Sequence, residues 1–286
     1  MSFWVIQILS ALSLGMLLFL LAAGLSMIFG LMRIINVAHG SFYLLGAYLG
    51  FEAMRWTNSF VVALIVGGAA MTVIGVVIQR GFIHRVMGNS LGQILMTFGF
   101  LLILGDVALI VWRGAPVLLD PPPGLDGFVN IGGIRFPNYR LFMIGIGLLV
   151  AVALEFFQQR TRVGAMIRAG ADDLEMLNCM GYNVSLLFTA VFAFGALLAG
   201  LGGVLGSVFL GVYPGIDLEI GILAFVVVIV GGLGSVRGTL AASLLVGAID
   251  NLSKALLPEI SMFAIFLLMV FVLAVKPNGL FGKIEA

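Results

Sequence analysis

The chain has 286 residues, of which 62% are hydrophobic and only 9% charged, and its mean hydropathy is +1.23. A soluble domain would carry charge at roughly a quarter of its positions, so this composition excludes an ordinary soluble domain and indicates contact with lipid. The formal net charge of +1 indicates neither a basic face for nucleic acid nor a disordered acidic tail.

Polar and charged residues divide the chain into nine apolar segments, and roughly 20 residues suffice to cross a bilayer core about 30 Å thick. The first lacks the basic region of a signal peptide and is too long to be a cleaved one, so it is predicted to be a retained membrane helix. The predicted fold is all-α, a polytopic transmembrane helical bundle of eight to nine membrane segments in one domain, residues 1–286. The segments are residues 5–32, 34–51, 60–79, 91–112, 141–157, 186–210, 219–236, 239–257 and 260–275.

The second segment, residues 34–51, is short and begins with Asn36, His39, Gly40 and Ser41. Irregular backbone at membrane depth is tolerated only where it is buried in protein or lines a cavity. The pattern therefore predicts a broken or re-entrant helix. If the segment re-enters instead of crossing, the N-terminus changes sides.

Polar side chains inside apolar segments indicate either function or packing. Gln93 and Thr97 lie four residues apart on one helix face, and we expect them either to line a pore or to hold helices together. Asp106 lies about six residues, or about 9 Å, from the end of its segment and is expected to reach the membrane interface. Asp250 and Lys254 share the same spacing of four, so they can neutralise one another in a structural pair.

Other chemistry finds little support. Glu155 is expected to pair with Arg162 or to reach an interface. Cys179 is the single cysteine, and His39 and His84 are the two histidines, so neither a disulfide nor a metal site is predicted. No Ser-His-Asp arrangement, paired carboxylates or proton-relay chain is apparent. No catalytic residue, metal or cofactor is therefore assigned, and an enzyme is not expected.

Two loops are more than connections. Residues 113–140 are rich in Pro and Gly, and apolar residues flank Gly132 and Gly133 as in a small β-hairpin. This loop either caps the bundle or contacts a partner, or is an ordered linker. Residues 158–185 mix apolar and charged residues as in a short amphipathic helix. Gly181 is placed to end that helix, and Asn183 or Ser185 is placed to cap the next one.

Lysine and arginine counts in short loops predict the orientation. If nine segments cross, nine of the fourteen Lys and Arg residues lie on the side of residues 158–185 and five on the side of residues 113–140. The first side, with the C-terminus, is therefore predicted to be cytoplasmic and the second, with the N-terminus, external. The first set is Arg33, Arg80, Arg85, Arg160, Arg162, Arg168, Arg237, Lys276 and Lys283, and the second is Arg55, Arg113, Arg135, Arg140 and Lys254.

Glycine occurs 39 times. Small residues spaced by four let helices approach closely, and they are expected to serve packing in the series Gly195, Ala199 and Gly203 and in the pair Gly202 and Gly206. Residues 231–238 (GGLGSVRG) do not match GxxxxGK[ST] and follow no soluble strand. The chain is therefore not expected to hydrolyse nucleotides itself.

Three stretches carry a family resemblance: residues 24–50 (GLSMIFGLMRIINVAHGSFYLLGAYLG), residues 164–184 (GAMIRAGADDLEMLNCMGYNV), and residues 230–250 (VGGLGSVRGTLAASLLVGAID) with KPNGLFG at 276–282. Together they resemble the permease family of branched-chain amino-acid ABC importers, in its LivH-like branch. The first stretch contains Asn36, Ala38, His39 and Gly40 of the family's Asn-Phe-Ala-His-Gly signature, with Val37 as the departure.

The second stretch resembles the family's cytoplasmic coupling loop. The resemblance implies that this helix docks on an ATPase, with its apolar face supplying contact area and its charges fixing the orientation. Leu177 and Tyr182 depart from the family pattern at the implied contact. The coupling residues implied are Gly164, Arg168, Ala169, Asp172, Asp173 and Gly181.

The resemblance implies a permease of the bacterial or archaeal inner membrane that works with partners. These are a second homologous permease subunit, two ABC ATPase subunits and an extracytoplasmic solute-binding protein. Relatives carry different small solutes, so a permease for urea or short amides is an alternative to one for branched-chain amino acids. An ion-coupled secondary transporter or channel is a further alternative, although few midplane carboxylates are present for it.

The start of the second segment is the candidate for the translocation path. A helix N-terminus has unpaired N–H groups and roughly half a positive charge, so it suits a carboxylate. Asn36, His39 and Ser41 are predicted to lie beside the path, where they stabilise the passing solute or hold the break open, and Gln93 and Thr97 are further candidates. The alternative is that Asn36 and His39 only cap the helix and bond neighbouring backbone.

Overall fold

The computed structural model describes residues 2–282, and most of them are helical. A two-stranded hairpin is formed by β1 (Phe128–Ile131) and β2 (Ile134–Pro137). The α-helices are α1 (Ser2–Met32), α2 (His39–Thr57), α3 (Phe60–Gly81), α4 (Ser90–Trp112), α5 (Asn138–Arg160), α6 (Arg162–Asp172), α7 (Leu174–Cys179), α8 (Val184–Leu210), α9 (Ile216–Gly231), α10 (Val236–Leu256) and α11 (Ser261–Val275). The predicted all-α polytopic bundle is confirmed.

Within the described part of the chain, five helices are long and apolar enough to cross a membrane: α1, α3, α4, α5 and α8. The other long helices, α2, α9, α10 and α11, are shorter or less apolar. The first three pack against helices of this set, and α11 packs against α9 and α10. The number of crossings, eight to nine, stays a prediction.

The contacts between helix ends show which of them lie together at each end of the bundle. At one, which we call the α6–α7 end, Gly170 of α6 packs against Leu31 of α1, and the amide of Leu280 donates to the carbonyl of Val230. At the other, the hairpin end, Val117 and Val212 form a β-bridge.

The helix order places eight basic residues of residues 2–282 towards the α6–α7 end and five towards the hairpin end, and the ninth residue predicted for the first set, Lys283, lies outside the described residues. Which end faces the cytoplasm stays a prediction, as does the location of residues 283–286.

Helices α2 and α8 form the centre, where their backbones come into close contact. Residues 39–48 of α2 are all buried. A Cβ atom added to Gly203 would collide with the carbonyl oxygen of Tyr43 in α2. One added to Gly195, on the same helix α8, would lie 3.0 Å from the carbonyl oxygen of Gly24 in α1. Gly206 likewise lies against the Tyr43 hydroxyl, whereas Gly202 has no neighbour nearer than 4.0 Å. The predicted packing role is therefore confirmed along the Gly195–Gly203 face and at Gly206.

The second predicted segment consists of an irregular stretch, residues 33–38, followed by α2. It runs alongside α4 in the same direction. Thr97 Oγ1 donates to the carbonyl of Ile35 (3.2 Å), and Tyr48 OH donates to the carbonyl of Ala115, beyond the far end of α4 (3.3 Å). The segment therefore passes from the α6–α7 end to the hairpin end as a broken helix. Whether this broken segment crosses the membrane or re-enters it stays a prediction.

The structure confirms the small β-hairpin predicted within residues 113–140. Gly132 and Gly133 form its turn with φ of 57° and 86°, a conformation that glycine adopts at little cost, and Ile131 pairs with Ile134. Phe136 is 1% exposed, and β2 contacts α1 and α5. The loop is thus packed onto the bundle.

The single amphipathic helix predicted within residues 158–185 is wrong, because two helices lie there. The side chain of Asp173 accepts a hydrogen bond from the amide of Met176 (2.9 Å) and caps α7. An N-cap residue takes up extended backbone, here with φ of −151°, and this interrupts the helix after Asp172. Gly181, with φ of 84°, follows α7, and Asn183, not Ser185, caps α8 through the amide of Leu186 (2.9 Å).

Candidate functional site

The residues predicted to lie beside the path cluster where α2 begins. Asn36, His39, Ser41 and Thr97 are at most 1% exposed and Gln93 is 5% exposed. They are all enclosed within this one subunit.

This cluster lies deep in the bundle. His39 Nε2 is 3.0 Å from the carbonyl oxygen of Leu21, which lies about 16 Å along α1 from Met32 at 1.5 Å per residue. The start of α2 is therefore near the middle of the bundle's long axis.

The alternative that Asn36 and His39 only cap α2 and bond neighbouring backbone is wrong about the cap, although His39 does bond backbone. Ala38 occupies the N-cap position, and no side chain accepts a hydrogen bond from the first turn. The His39 ring reaches Leu21 instead, and since a carbonyl only accepts, Nε2 must carry the proton.

Several buried polar atoms in this cluster have no hydrogen-bond partner within the described residues. They are both side-chain polar atoms of Asn36 and Nδ1 of His39. A buried polar group without a partner costs about 1–3 kcal/mol, and such groups call for an explanation beyond packing.

The cluster also contains a carboxylate that the sequence analysis did not single out. Ser41 Oγ donates to Asp217 Oδ2 (3.2 Å) and lies 3.4 Å from the carbonyl of Leu101. Asp217 is 5% exposed and lies in the first turn of α9, where the helix dipole stabilises a negative charge. Gly40 permits this approach, since a Cβ there would collide with the Asp217 carbonyl oxygen. The sequence offered one signal for this carboxylate, because Asp217 and Glu219 lie two residues apart where one apolar segment ends and the next begins.

The ion pairs are partly as predicted. Lys254 Nζ lies 2.9 Å from Asp250 Oδ2, which confirms that pair. Glu155 pairs with Arg237, whose Nε donates to Glu155 Oε1 (2.7 Å), so the first of its two expected positions, a pair with Arg162, is wrong. The reason is that α5 and α10 are neighbours at the α6–α7 end. Asp106 is exposed on α4.

The predicted coupling residues fall into two groups. Gly164 is buried, since a Cβ there would collide with the carbonyl oxygens of Phe157 and Gln158. Of the departures, Leu177 is only 2% exposed and is therefore not a contact residue, whereas Tyr182 is 45% exposed. The exposed members are Arg168, Ala169, Asp172, Asp173 and Gly181.

The expected apolar face of the coupling segment is directed inward. Ile167, Gly170 and Leu177 are buried against the bundle. The most exposed large apolar side chains of residues 158–185 are Met176 (61%) and Met180 (66%), four residues apart. We call this exposed set, together with the charged and small residues of the preceding paragraph, the coupling surface.

Comparison with known sequences gives consistent matches over nearly the whole chain. The family described as "Branched-chain amino acid transport system / permease component" matches residues 7–274. The chain is similar to the high-affinity branched-chain amino acid transport system permease protein BraD of Pseudomonas aeruginosa, with 28% identity over 98% of this chain and 96% of that protein. It is also similar to LivH of Escherichia coli, described in the same words, with 29% identity over 98% of this chain and 96% of that protein.

Among solved structures the chain is similar to "PsaBC from Streptococcus pneumoniae in complex with Fab". The TM-score is 0.52 and the sequence identity 14%, over 93% of this chain and 89% of that one. This likeness concerns the fold alone.

Proposed function

This chain belongs to the family of branched-chain amino acid transport permease components, and we propose that it is the membrane-spanning subunit of an ABC importer for branched-chain amino acids. ATP is hydrolysed on partner subunits, so the chain itself is not an enzyme. It pairs with a second homologous permease, binds two ABC ATPases, and receives solute from an extracytoplasmic binding protein. The match of the family over residues 7–274 carries this proposal.

The coupling surface supports contact with an ATPase at the α6–α7 end. Its exposed methionines supply apolar, adaptable area, while Arg168, Asp172 and Asp173 supply charges that set orientation more than affinity. α6 packs on the end of α1 through Gly170 and Leu31. A displacement of this surface by the ATPase would therefore also displace α1, a helix at the core of the subunit.

The buried cluster at the start of α2 supports a place beside the translocation path. Asn36 and His39 have polar atoms there without a partner in the described part of the chain, and the Ser41 hydroxyl donates to Asp217. Because these groups are enclosed in one subunit, they act on a passing solute only when α2 shifts against α4 or α9. Gln93 and Thr97 are proposed to lie beside the same path. The hydroxyl of Thr97 connects α4 to the irregular stretch 33–38 by a hydrogen bond to the carbonyl of Ile35.

Co-purification with candidate partners, followed by an ATPase assay in liposomes, tests the proposal. ATP hydrolysis should rise when the binding protein is loaded with leucine, and should not rise with the same binding protein loaded with urea or left empty. A complex that forms but is stimulated only by urea or a short amide would identify a permease of the same type for another solute. Failure of the chain to retain any ATPase would contradict the proposal.

A further inference from the structure

A cavity of about 190 Å³ lies at the hairpin end between α1, α5, α8, α9 and α10. Exposed residues, Tyr213, Glu219 and Lys254, form part of its lining, so it opens to the outside of the protein. Its volume is below the roughly 300–1,000 Å³ of sites for drug-sized ligands, so it suits a small solute. Its buried apolar wall consists of Leu14, Ile216, Ile220 and Leu223.

Arg140 supplies a cation to this cavity that no carboxylate neutralises. Its Nη1 donates to Ser10 Oγ (2.7 Å), and its guanidinium carbon lies 5.8 Å from the centre of the Phe209 ring. None of the ion pairs formed within residues 2–282 includes Arg140. Since a guanidinium carries five N–H donors and matches a carboxylate with two parallel hydrogen bonds, Arg140 has donors left for an anion.

Glu219 supplies the opposite charge. It accepts a hydrogen bond from Tyr213 OH (2.7 Å), and this bond, with some burial, raises the pKa of Tyr213 to about 12. The phenol therefore stays protonated at neutral pH and leaves Glu219 an acceptor. Within the described chain, Glu219 forms no ion pair either.

The charges of the lining balance. Arg140 and Lys254 are cationic, Glu219 and Asp250 anionic, and only Lys254 and Asp250 are paired with each other. A solute with a single charge would pair with only one of these two groups, Arg140 or Glu219. A solute with one charge of each sign satisfies both.

We propose that this cavity binds a zwitterionic α-amino acid with a small apolar side chain. The carboxylate lies on Arg140, the ammonium group lies on Glu219, and the side chain packs on the apolar wall. This inference rests on the proposed function, and it gives the incoming solute a site on this subunit alone, separate from the binding protein and from the buried cluster at α2.

The test uses the complete complex in lipid nanodiscs without binding protein or ATP, and measures competition against tritiated leucine. Leucine should bind, while leucinamide, which lacks the carboxylate, and the α-keto acid of leucine, which lacks the ammonium group, should compete about tenfold or more weakly. Arg140→Gln should weaken leucine binding about tenfold and remove the preference over leucinamide. Glu219→Gln should remove the preference over the keto acid.

The matched control is Arg135→Gln, the same change at an exposed arginine of β2 outside the cavity, and it should leave binding unchanged. Should Arg140→Gln not fold, Glu219→Gln decides, because Glu219 is exposed and glutamine still accepts from Tyr213. Equal leucine binding in the Arg140, Glu219 and Arg135 variants overturns the proposal. So does a complex that imports leucine with its binding protein yet binds none without it. A complex that imports no leucine refutes the proposed function instead.

Discussion

At the residue scale, the polar groups around the start of α2 are distinguished by what they do not bond. One ring nitrogen of His39 bonds the carbonyl of Leu21. The other ring nitrogen, and both side-chain polar atoms of Asn36, have no partner among residues 2–282. If the cluster served only packing, apolar side chains of the same shape would give a more stable fold. We therefore expect these residues to act on the transported solute.

Replacing His39 by alanine tests that expectation. Uptake per folded transporter should fall by about tenfold or more. Loss of the His39–Leu21 hydrogen bond should lower the free energy of unfolding by only about 1 kcal/mol, so loss of folded protein would not account for the fall in uptake. Uptake assays normalised to folded protein, with a thermal melt of each variant, provide the measurement. The control is His84→Ala at the other, exposed histidine, which should leave both quantities unchanged. A lower melting temperature with unaltered uptake per molecule would make His39 a structural residue.

Residues close in sequence were predictable, and those far apart were not. The Asp250–Lys254 pair, the Gly132–Gly133 turn and the Asn183 cap follow from spacings of a few residues. The Ser41–Asp217 bond joins residues 176 apart and the Arg237–Glu155 bond joins residues 82 apart. Such partners depend on which helices pack together, which a single sequence does not specify.

At the element scale, the α2–α8 contact depends on the absence of side chains. Gly203→Ala should lower the free energy of unfolding by about 1–3 kcal/mol, because the new methyl group meets the Tyr43 carbonyl, a backbone atom that cannot rotate away. Gly202→Ala, one position along the same helix, has open space and should be neutral or slightly stabilising. Thermal unfolding of both variants in one detergent makes the comparison. Equal melting temperatures would show that the contact is looser than described.

The coupling surface gives a second prediction at this scale. Reversing Asp172 and Asp173 to lysine together should abolish transport while the protein remains inserted and folded, since opposite charges then face the ATPase. Loss of the Asp173 cap on α7 should cost only about 1 kcal/mol, and Asp173→Asn, which still caps, separates the two effects.

Asp120 and Asp126, exposed in the loop at the hairpin end, provide the matched control for this reversal. The same double change there should leave transport intact. Normal uptake and normal ATPase co-purification in the Asp172/Asp173 variant would show that α6 and α7 do not couple.

The break between α6 and α7 shows why helix boundaries were harder to predict than helices. Residues 165–180 have a continuous amphipathic pattern, and nothing in their hydropathy marks Asp173 as the interruption. An aspartate within a helix can either face solvent or turn to cap the next turn. Packing of Ile167, Gly170 and Leu177 on the bundle favours the second arrangement here.

At the scale of the whole molecule, the sorting of basic residues predicts that the α6–α7 end faces the cytoplasm. Impermeant thiol reagents applied to intact cells test this orientation with the native, exposed Cys179 and with Asn130→Cys on a Cys179→Ser background. Position 130 should react from outside and Cys179 only after permeabilisation. External labelling of Cys179 without labelling at 130 would reverse the assignment.

The central claim is that this bundle moves branched-chain amino acids when ATP is hydrolysed on its partners. The most direct measurement is uptake of radiolabelled leucine into proteoliposomes that contain this chain, a homologous permease and the ATPases, with the binding protein and leucine on the hairpin side and ATP on the α6–α7 side. We predict accumulation against the leucine gradient that requires hydrolysable ATP and stops with a non-hydrolysable analogue. Uptake that continues without ATP and follows an imposed ion gradient would contradict the claim.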